Sequence, residues 1–325
     1  MNSIKLERQT TKGDRLSYGL VKQGRRAWLA LLCAVPLIAQ QTSFSSPDDA
    51  MLALGHAAKA KDQAALNAIF GPDRQKLLSG DAVEDARGLA RFAANFEKFA
   101  QLQTEGDSKA VVIVGEDHWP LPIPIVRVED KWHFDTKAGM EEILNRRVGE
   151  NELSAIMTCR AYVLAQWEYF TQALGTSHDG LAVYAQKFIS TPGKRDGLYW
   201  DVPAGAPKSP LGQLVGEARA EGYAAGQPKP AGAPAHSPFH GYYFKILTRQ
   251  GSHAPGGRFS YVINGNMIAG YALIAYPDKW GNSGVMTFIV NQQGRIYQKN
   301  LGPRTAQIAA SVIEYDPDLS WKLVK

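Results

Sequence analysis

The longest helical pattern of the chain covers residues 151–170. Seven large apolar side chains in it recur at spacings of three and four, as they do on one face of a helix. Burying one such side chain completely stabilises a fold by roughly 1.5–3 kcal/mol. We therefore expect this helix to be a core element whose buried stripe consists of Leu153, Ile156, Met157, Val163, Leu164, Trp167 and Phe170.

In the region before this helix, the spacing of the apolar residues changes along the chain from a helical to a strand pattern. Ser46-Pro47-Asp48 is typical of a helix start, and residues 84–103 predict a second long helix with an apolar stripe. Residues 109–136 then carry strand-forming residues, with a tight turn at Glu129-Asp130. Helices followed by antiparallel strands predict a small α+β layer.

The region after the helix is rich in loops and then in strands. A shorter helix is predicted over residues 210–221, followed by a Pro/Gly/Ala linker over residues 224–238. Four runs rich in Tyr, Phe, Val and Ile follow, and a hairpin connection is expected at residues 292–294. The pattern predicts an antiparallel meander on which the long helix packs, so the fold class as a whole is α+β.

The start of the chain has the pattern of an export signal. Lys22, Arg25 and Arg26 precede an apolar run of 13 residues, 27–39, whereas a membrane-spanning helix needs about 20. We expect residues 1–39 to be a signal peptide, followed by an α+β domain over residues 40–148 and a second α+β domain over residues 149–325. The protein is then periplasmic or extracellular, with membrane contact only through the leader if it stays uncleaved.

The charge and the cysteines narrow the function classes. The formal net charge is +5, but seven of the 36 basic residues and two of the 31 acidic residues lie within residues 1–39. The remainder is formally neutral, so no nucleic-acid partner is expected. Cleavage of the leader would remove Cys33 and leave Cys159, which we interpret as a buried structural thiol.

A search for chemistry finds no convincing catalytic constellation. The seven histidines show no metal-ligand spacing within a helix, so no metal and no cofactor is assigned, and no catalytic residue either. Two places remain as candidate binding sites. Trp119 lies in a proline-rich stretch that is either a docking surface or part of a core, and Lys194, Arg195 and Asp196 form a charged turn that either binds an anion or pairs internally.

Three resemblances extend this interpretation. The order of helices and strands in residues 40–148 is similar to the cone-shaped domains of the nuclear-transport-factor-two-like superfamily. "NELSAIMTCRAYVLAQWEYF", "GYYFKIL" and the strands that follow resemble a type IV pilin or pseudopilin head. "FISTPGKRDGLYW", "HGYYFKILT" and "SGVMTFIVNQQGRIYQKNLGP" resemble a bacterial family catalogued as domain of unknown function 2950. This last resemblance implies an exported envelope protein and implies no activity.

Two function hypotheses follow. The first is a non-enzymatic interaction or scaffold module of the envelope, which binds a protein partner through its pilin-like head. The alternative is a small-ligand-binding protein or hydrolase that uses a pocket in the N-terminal domain. A deep pocket with convergent polar groups would favour the alternative, and a shallow surface with aromatic patches would favour the first. The oligomeric state stays open.

Overall fold

A computed structural model describes residues 41–223 and 238–325 of the protein. The predicted signal peptide and most of the predicted linker lie outside these residues. The first region has four helices and five strands: α1 (Pro47–Ala60), α2 (Gln63–Phe70), α3 (Arg74–Leu77), α4 (Ala82–Lys98), β1 (Ala100–Glu105), β2 (Lys109–Val114), β3 (Trp119–Pro120), β4 (Ile125–Val128) and β5 (Lys131–Phe134).

Short polar side chains begin the helices of this region. Ser46 accepts a hydrogen bond from the Asp49 backbone, and Asp62 and Asp81 each accept two from the first turns of α2 and α4. Such caps satisfy backbone N–H groups that have no partner within the helix. The helix start predicted at Ser46-Pro47-Asp48 is therefore confirmed.

The strands of the first region form one antiparallel sheet in the order β1-β2-β4-β5, with β3 paired to β2. Along β2 half-buried and buried residues alternate, as expected for a strand with one face on a core. Glu129 has φ 55° at the turn between β4 and β5, where a tight turn was predicted. The helix predicted over residues 84–103 was too long, because α4 ends at Lys98 and residues 100–103 pair with β2.

The second region begins with α5 (Thr136–Thr171), a helix of 36 residues. The predicted boundary between residues 148 and 149 lies within this continuous helix, and the division into two domains stays a prediction. The remaining elements are α6 (Gly212–Ala220), β6 (Tyr242–Leu247), β7 (Arg249–Gln250), β8 (Phe259–Ser260), β9 (Val262–Ile263), β10 (Asn266–Met267), β11 (Ala272–Pro277), β12 (Met286–Asn291), β13 (Ile296–Asn300), α7 (Thr305–Ser311) and β14 (Lys322–Leu323).

A second antiparallel sheet has the strand order β14-β13-β12-β11-β6. The hairpin predicted at residues 292–294 is confirmed, since it joins β12 to β13. Helix α5 packs against β11 and β12, which lie next to each other inside this sheet. The described residues therefore form an α+β fold, as predicted, with a long helix on an antiparallel sheet in the second region.

The predicted buried stripe of α5 is wrong. Leu153, Met157, Leu164 and Trp167 are between 60% and 68% exposed, and Ile156, Val163 and Phe170 are only partly buried. The helix instead turns a face of small, polar and aromatic residues toward the sheet: Asn151, Ala155, Thr158, Cys159, Tyr162, Ala165, Gln166 and Tyr169.

Hydrogen bonds explain why this polar face can be buried. Gln166 donates to the Ala185 carbonyl at 2.7 Å and accepts from the Ala185 N–H at 2.8 Å. Tyr162 donates to the Ala272 carbonyl at 3.2 Å, and Asn151 donates to the Ser283 carbonyl at 2.9 Å. Buried polar groups are tolerated when they are paired in this way. Apolar content alone therefore indicated the wrong face of the helix.

The buried apolar residues form two clusters. One lies between α1, α2 and the first sheet, and the other lies between α5, the second sheet and α7. Cys159 is fully buried in the second cluster, where burial raises the pKa of its thiol to about 12, which confirms its interpretation as a structural residue. Within the described ranges, no helix combines the length and the apolar character that crossing a bilayer requires.

Candidate functional site

A cavity of about 780 Å³ opens between α4, the N-terminal half of α5 and the first sheet. Its floor is the first hydrophobic cluster, which contributes Leu54, Leu66, Val114 and Ile123. Ligand pockets in proteins typically have volumes of roughly 300–1,000 Å³. The cavity is therefore large enough for a small organic molecule.

Helix α4 forms one wall and leaves part of its apolar face uncovered. Leu89 and Phe92 line the cavity and are only partly buried, and no residue of this amphipathic helix is fully buried. Gly88 lies on the same face, and a Cβ placed there would meet no atom within 4 Å. An amphipathic helix usually buries its apolar stripe against a core. Here part of that stripe faces empty space.

Charged pairs mark the mouth of the cavity. Arg91 of α4 lies 3.5 Å from Glu150 of α5, and both side chains are more than half exposed. Glu84 lies nearby, 3.7 Å from Arg91 and 3.4 Å from His240. The hydrogen bond from His240, together with nearby arginines, lowers the pKa of the Glu84 carboxyl below its ordinary value despite partial burial. Both acids of the mouth are therefore paired with basic side chains.

Trp119 of β3 lines the cavity. Its side chain is 38% exposed, and the Arg146 guanidinium stacks over its ring at 4.5 Å from the centroid. Arg146 donates from Nε to Glu142 at 2.5 Å. Its Nη1 is buried and has no hydrogen-bond partner among the described residues. The predicted binding residue Trp119 is thus part of a site with a guanidinium beside it.

Two more arginines line the interior. Arg74 is 7% exposed and donates to Asn67 Oδ1 at 2.7 Å and to Gln63 Oε1 at 2.6 Å. Arg147 donates to the Leu77 carbonyl and, at 2.6 Å, to Asn282 Oδ1. Burial lowers the pKa of both guanidinium groups, and the charge of Asp85 partly opposes this shift. The interior therefore combines apolar walls with a cationic region.

The charged turn predicted as a second site lies apart from the cavity. Asp196 pairs with Lys187 at 2.7 Å and accepts hydrogen bonds from Thr191, and these contacts lower the pKa of its carboxyl. Arg195 stacks over Trp200 at 5.4 Å from the ring centroid. Neither of these residues nor Lys194 lines the cavity. Their role in binding stays a prediction.

Three other polar groups of the first region, Asp117, His118 and Asp135, do not converge on the cavity. Asp117 lines the cavity, His118 packs against the Phe99 ring at 4.6 Å, and Asp135 caps the start of α5. In the part of the chain that the structure describes, no group of three His, Cys, Asp or Glu side chains could hold a metal ion.

Sequence analysis missed Arg74, Arg146 and Arg147. Arg146 and Arg147 follow Ile143 and Leu144 on a helix. The only indication in the sequence was that these two arginines lie beside apolar positions. This indication does not identify a site, because Arg74 is distant in sequence and lines the same cavity only through the fold. What the arrangement can do chemically is enclose an apolar body and hold a polar group at its cationic region.

Comparisons with known proteins place the chain in a family without assigning an activity to it. None of the curated proteins and none of the solved structures compared with the chain matches it. One family matches residues 41–324, which is most of the chain. The protein belongs to the family described as "Protein of unknown function (DUF2950)".

Proposed function

We propose that the protein binds a small apolar or amphipathic molecule in the cavity between α4, α5 and the first sheet. The observation that carries the proposal is the partly uncovered apolar face of α4, which lines a cavity of about 780 Å³. Apolar surface left in contact with water costs roughly 25 cal/mol per Å², so a ligand that covers it gains binding energy. This is the alternative function considered from the sequence.

Binding is preferred to hydrolysis because of the kinds of side chain around the cavity. The described lining residues comprise apolar groups, arginines, carboxylates and amides, and they include no Ser, Thr, Cys, His or Lys. Covalent catalysis generally uses one of the latter groups or a carboxylate as a nucleophile, and the lining carboxylates Glu84 and Glu150 are instead paired with Arg91. The arginines are placed to orient a ligand rather than to attack it.

The proposal is tested with N-phenyl-1-naphthylamine, a neutral apolar probe that fluoresces when it leaves water. We expect saturable binding with one site per chain. Replacing Gly88→Trp places a large ring on the lining face of α4 and should weaken binding at least about tenfold by filling the space.

Gly149→Trp is the matched control. Gly149 is also a helical glycine at which an added Cβ would meet no atom within 4 Å, but it does not line the cavity. It should leave the dissociation constant of the probe within about twofold, since it adds the same ring elsewhere. Equal effects of the two variants, or no saturable binding by the unaltered protein, would contradict the proposal.

An interaction role for the second region is the second candidate. Leu153, Met157, Leu164 and Trp167 form an exposed stripe on α5 at spacings of four, seven and three, which fit the repeat of helices that pack in pairs except that Arg160 occupies one of its positions. The occupant that this spacing fits best is α5 of a second copy of the chain, and the resemblance to a pilin head agrees with such a role. Sedimentation velocity should show a dimer that Leu164→Glu dissociates; a monomer at all concentrations would remove this candidate.

Export is part of the same proposal. The basic and apolar pattern of residues 22–39 favours a cleaved leader and a place in the periplasm or outside the cell. Cell fractionation with N-terminal sequencing should recover the chain outside the cytoplasm, starting near Gln40. Recovery of the full-length chain in the cytoplasm would contradict this part.

A further inference from the structure

Of the four arginines that line the cavity, Arg74, Arg146 and Arg147 form no ion pair within 4 Å with any of the lining carboxylates among the described residues. We infer that the ligand, whose binding is the proposed function, is an amphiphile with one ionised carboxylate, and that Arg146 Nη1 binds this carboxylate beside Arg74 and Arg147. The apolar tail then lies along Leu89 and Phe92 of α4. The inference rests on the state of each guanidinium group.

Arg74 is a buried cation whose direct hydrogen-bond partners are all neutral. Its two hydrogen bonds go to neutral amide oxygens, those of Gln63 and Asn67, and no carboxylate among the described residues lies within 4 Å of it. Removing a charge from water is costly unless an opposite charge approaches it. An anion in the cavity would therefore be favoured at this place.

Arg147 is in a similar state. Its partners are the Leu77 carbonyl and the Asn282 amide oxygen, both uncharged. The carboxylate that acts on both Arg74 and Arg147 is Asp85, and one of its oxygens already accepts a hydrogen bond from the Ser79 N–H at 2.9 Å. Glu84 also acts on Arg147, but no ion pair within 4 Å joins either guanidinium to a carboxylate among the described residues, so a ligand carboxylate in direct contact would be favoured there.

Arg146 supplies the hydrogen-bond donor. Its Nε is bound to Glu142 and its plane is fixed over the Trp119 ring, yet Nη1 is buried without a partner in the described structure. A buried donor without an acceptor costs roughly 1–3 kcal/mol, so an acceptor that arrives with the ligand is favoured. Guanidinium groups match carboxylates in geometry as well as in charge.

The acids of the lining do not favour a cationic ligand instead. Glu84 and Glu150 pair with Arg91 at the mouth, and Glu84 also contacts His240. Asp117 is exposed. An ammonium group beside Arg146 would approach a guanidinium whose buried Nη1 can only donate a hydrogen bond, and the like charges would disfavour it.

The test is displacement of the neutral probe by three ligands with the same tail: dodecanoate, dodecanol and dodecylammonium. We expect dodecanoate to bind about tenfold or more tightly than dodecanol, and dodecylammonium to bind most weakly, because charge-assisted hydrogen bonds are roughly twice as strong as neutral ones. Arg146→Gln should remove most of the difference between acid and alcohol while the probe still binds.

Arg127→Gln is the matched control, because Arg127 is exposed, pairs with Asp130 and does not line the cavity. It should keep the preference for the acid. Thermal unfolding verifies that each variant is folded, and Arg146→Lys, which keeps the charge without the fork of donors, replaces Arg146→Gln if the latter does not fold.

The outcomes separate the inference from the proposed function. Equal binding of acid and alcohol by the unaltered protein would overturn the inference and leave the proposed function standing. A preference for the acid that persists in Arg146→Gln would overturn the assignment to Arg146. Failure of the probe and of all three ligands to bind would overturn both.

Discussion

Helices α4 and α5 are packed in opposite ways. Helix α5 buries a face of small and polar residues against the second sheet, and each polar group on it that we have described is hydrogen bonded. Helix α4 carries a regular apolar stripe, yet it buries none of its residues completely and borders a cavity. The difference indicates that packing is closer where α5 meets its sheet than under α4, where a ligand is expected.

The largest expected effect is the loss of stability when a large side chain is truncated in the second hydrophobic cluster, compared with the same truncation beside the cavity. Phe288→Ala removes a fully buried ring from the second cluster and should lower the free energy of unfolding by about 3–5 kcal/mol. Phe92→Ala removes a ring that already borders empty space, so it should cost only about 1 kcal/mol. Urea denaturation followed by circular dichroism measures both. Equal losses would mean that the α4 face is packed as closely as the second core.

The second prediction concerns the polar face of α5. Gln166→Leu keeps the volume roughly constant but removes the partner of both Ala185 backbone groups and of the Tyr162 hydroxyl. Each unsatisfied buried group costs roughly 1–3 kcal/mol, so the variant should be markedly less stable although it is more apolar. A gain in stability, measured in the same urea titration, would show that this face tolerates simple apolar packing.

The third prediction concerns the charged mouth and gives a pH dependence. The contacts of Glu84 with His240 and the arginines lower the pKa of its carboxyl, so the folded state prefers the ionised form. The wild-type protein should therefore be more stable than Glu84→Gln above the ordinary glutamate value of 4.5. This advantage should disappear as the pH falls through the lowered pKa.

Melting temperatures of the two proteins, recorded side by side over this pH range, provide the check for the third prediction. An advantage of the wild type that stays constant down to acid pH, or that grows there, would mean that Glu84 stabilises the mouth without its charge.

The smallest effect is expected on the outer face of α5. Leu164→Gln changes a largely exposed side chain, and surface substitutions usually alter stability by less than about 0.5 kcal/mol. The buried stripe that the sequence predicted would instead imply a loss of about 2 kcal/mol or more. Thermal unfolding of dilute protein distinguishes an exposed from a buried Leu164. A large loss of stability would mean that Leu164 is buried.

Some features of this fold could be predicted from the sequence and others could not. Caps, hairpins and the α+β class depend on neighbouring residues, and the signals at Ser46, at Glu129 and at residues 292–294 predicted them correctly. The face of α5 depends on partners that are distant in sequence. Gln166 can be buried because its amide forms hydrogen bonds with Ala185 and Tyr162, and no local sequence pattern predicts these bonds.

The candidate site was predictable to a smaller extent. Trp119 was selected because aromatic residues beside turns often bind partners, and it does line the cavity. Arg74 and Arg146 come from α3 and α5, which are well separated in the chain, so only the fold brings them to one cavity. Empty volume has no sequence signal of its own, because it results from how α4 and the first sheet diverge.

The most direct test of ligand binding in the cavity is to locate a bound apolar probe by isotope-filtered nuclear Overhauser contacts to labelled methyl groups. We predict contacts from the probe to Leu89 and Ile143, which line the cavity, and none to Leu153 or Leu164 on the exposed stripe of α5. Contacts confined to Leu153 and Leu164 would contradict this prediction, since the apolar surface used for binding would then be the outer face of α5.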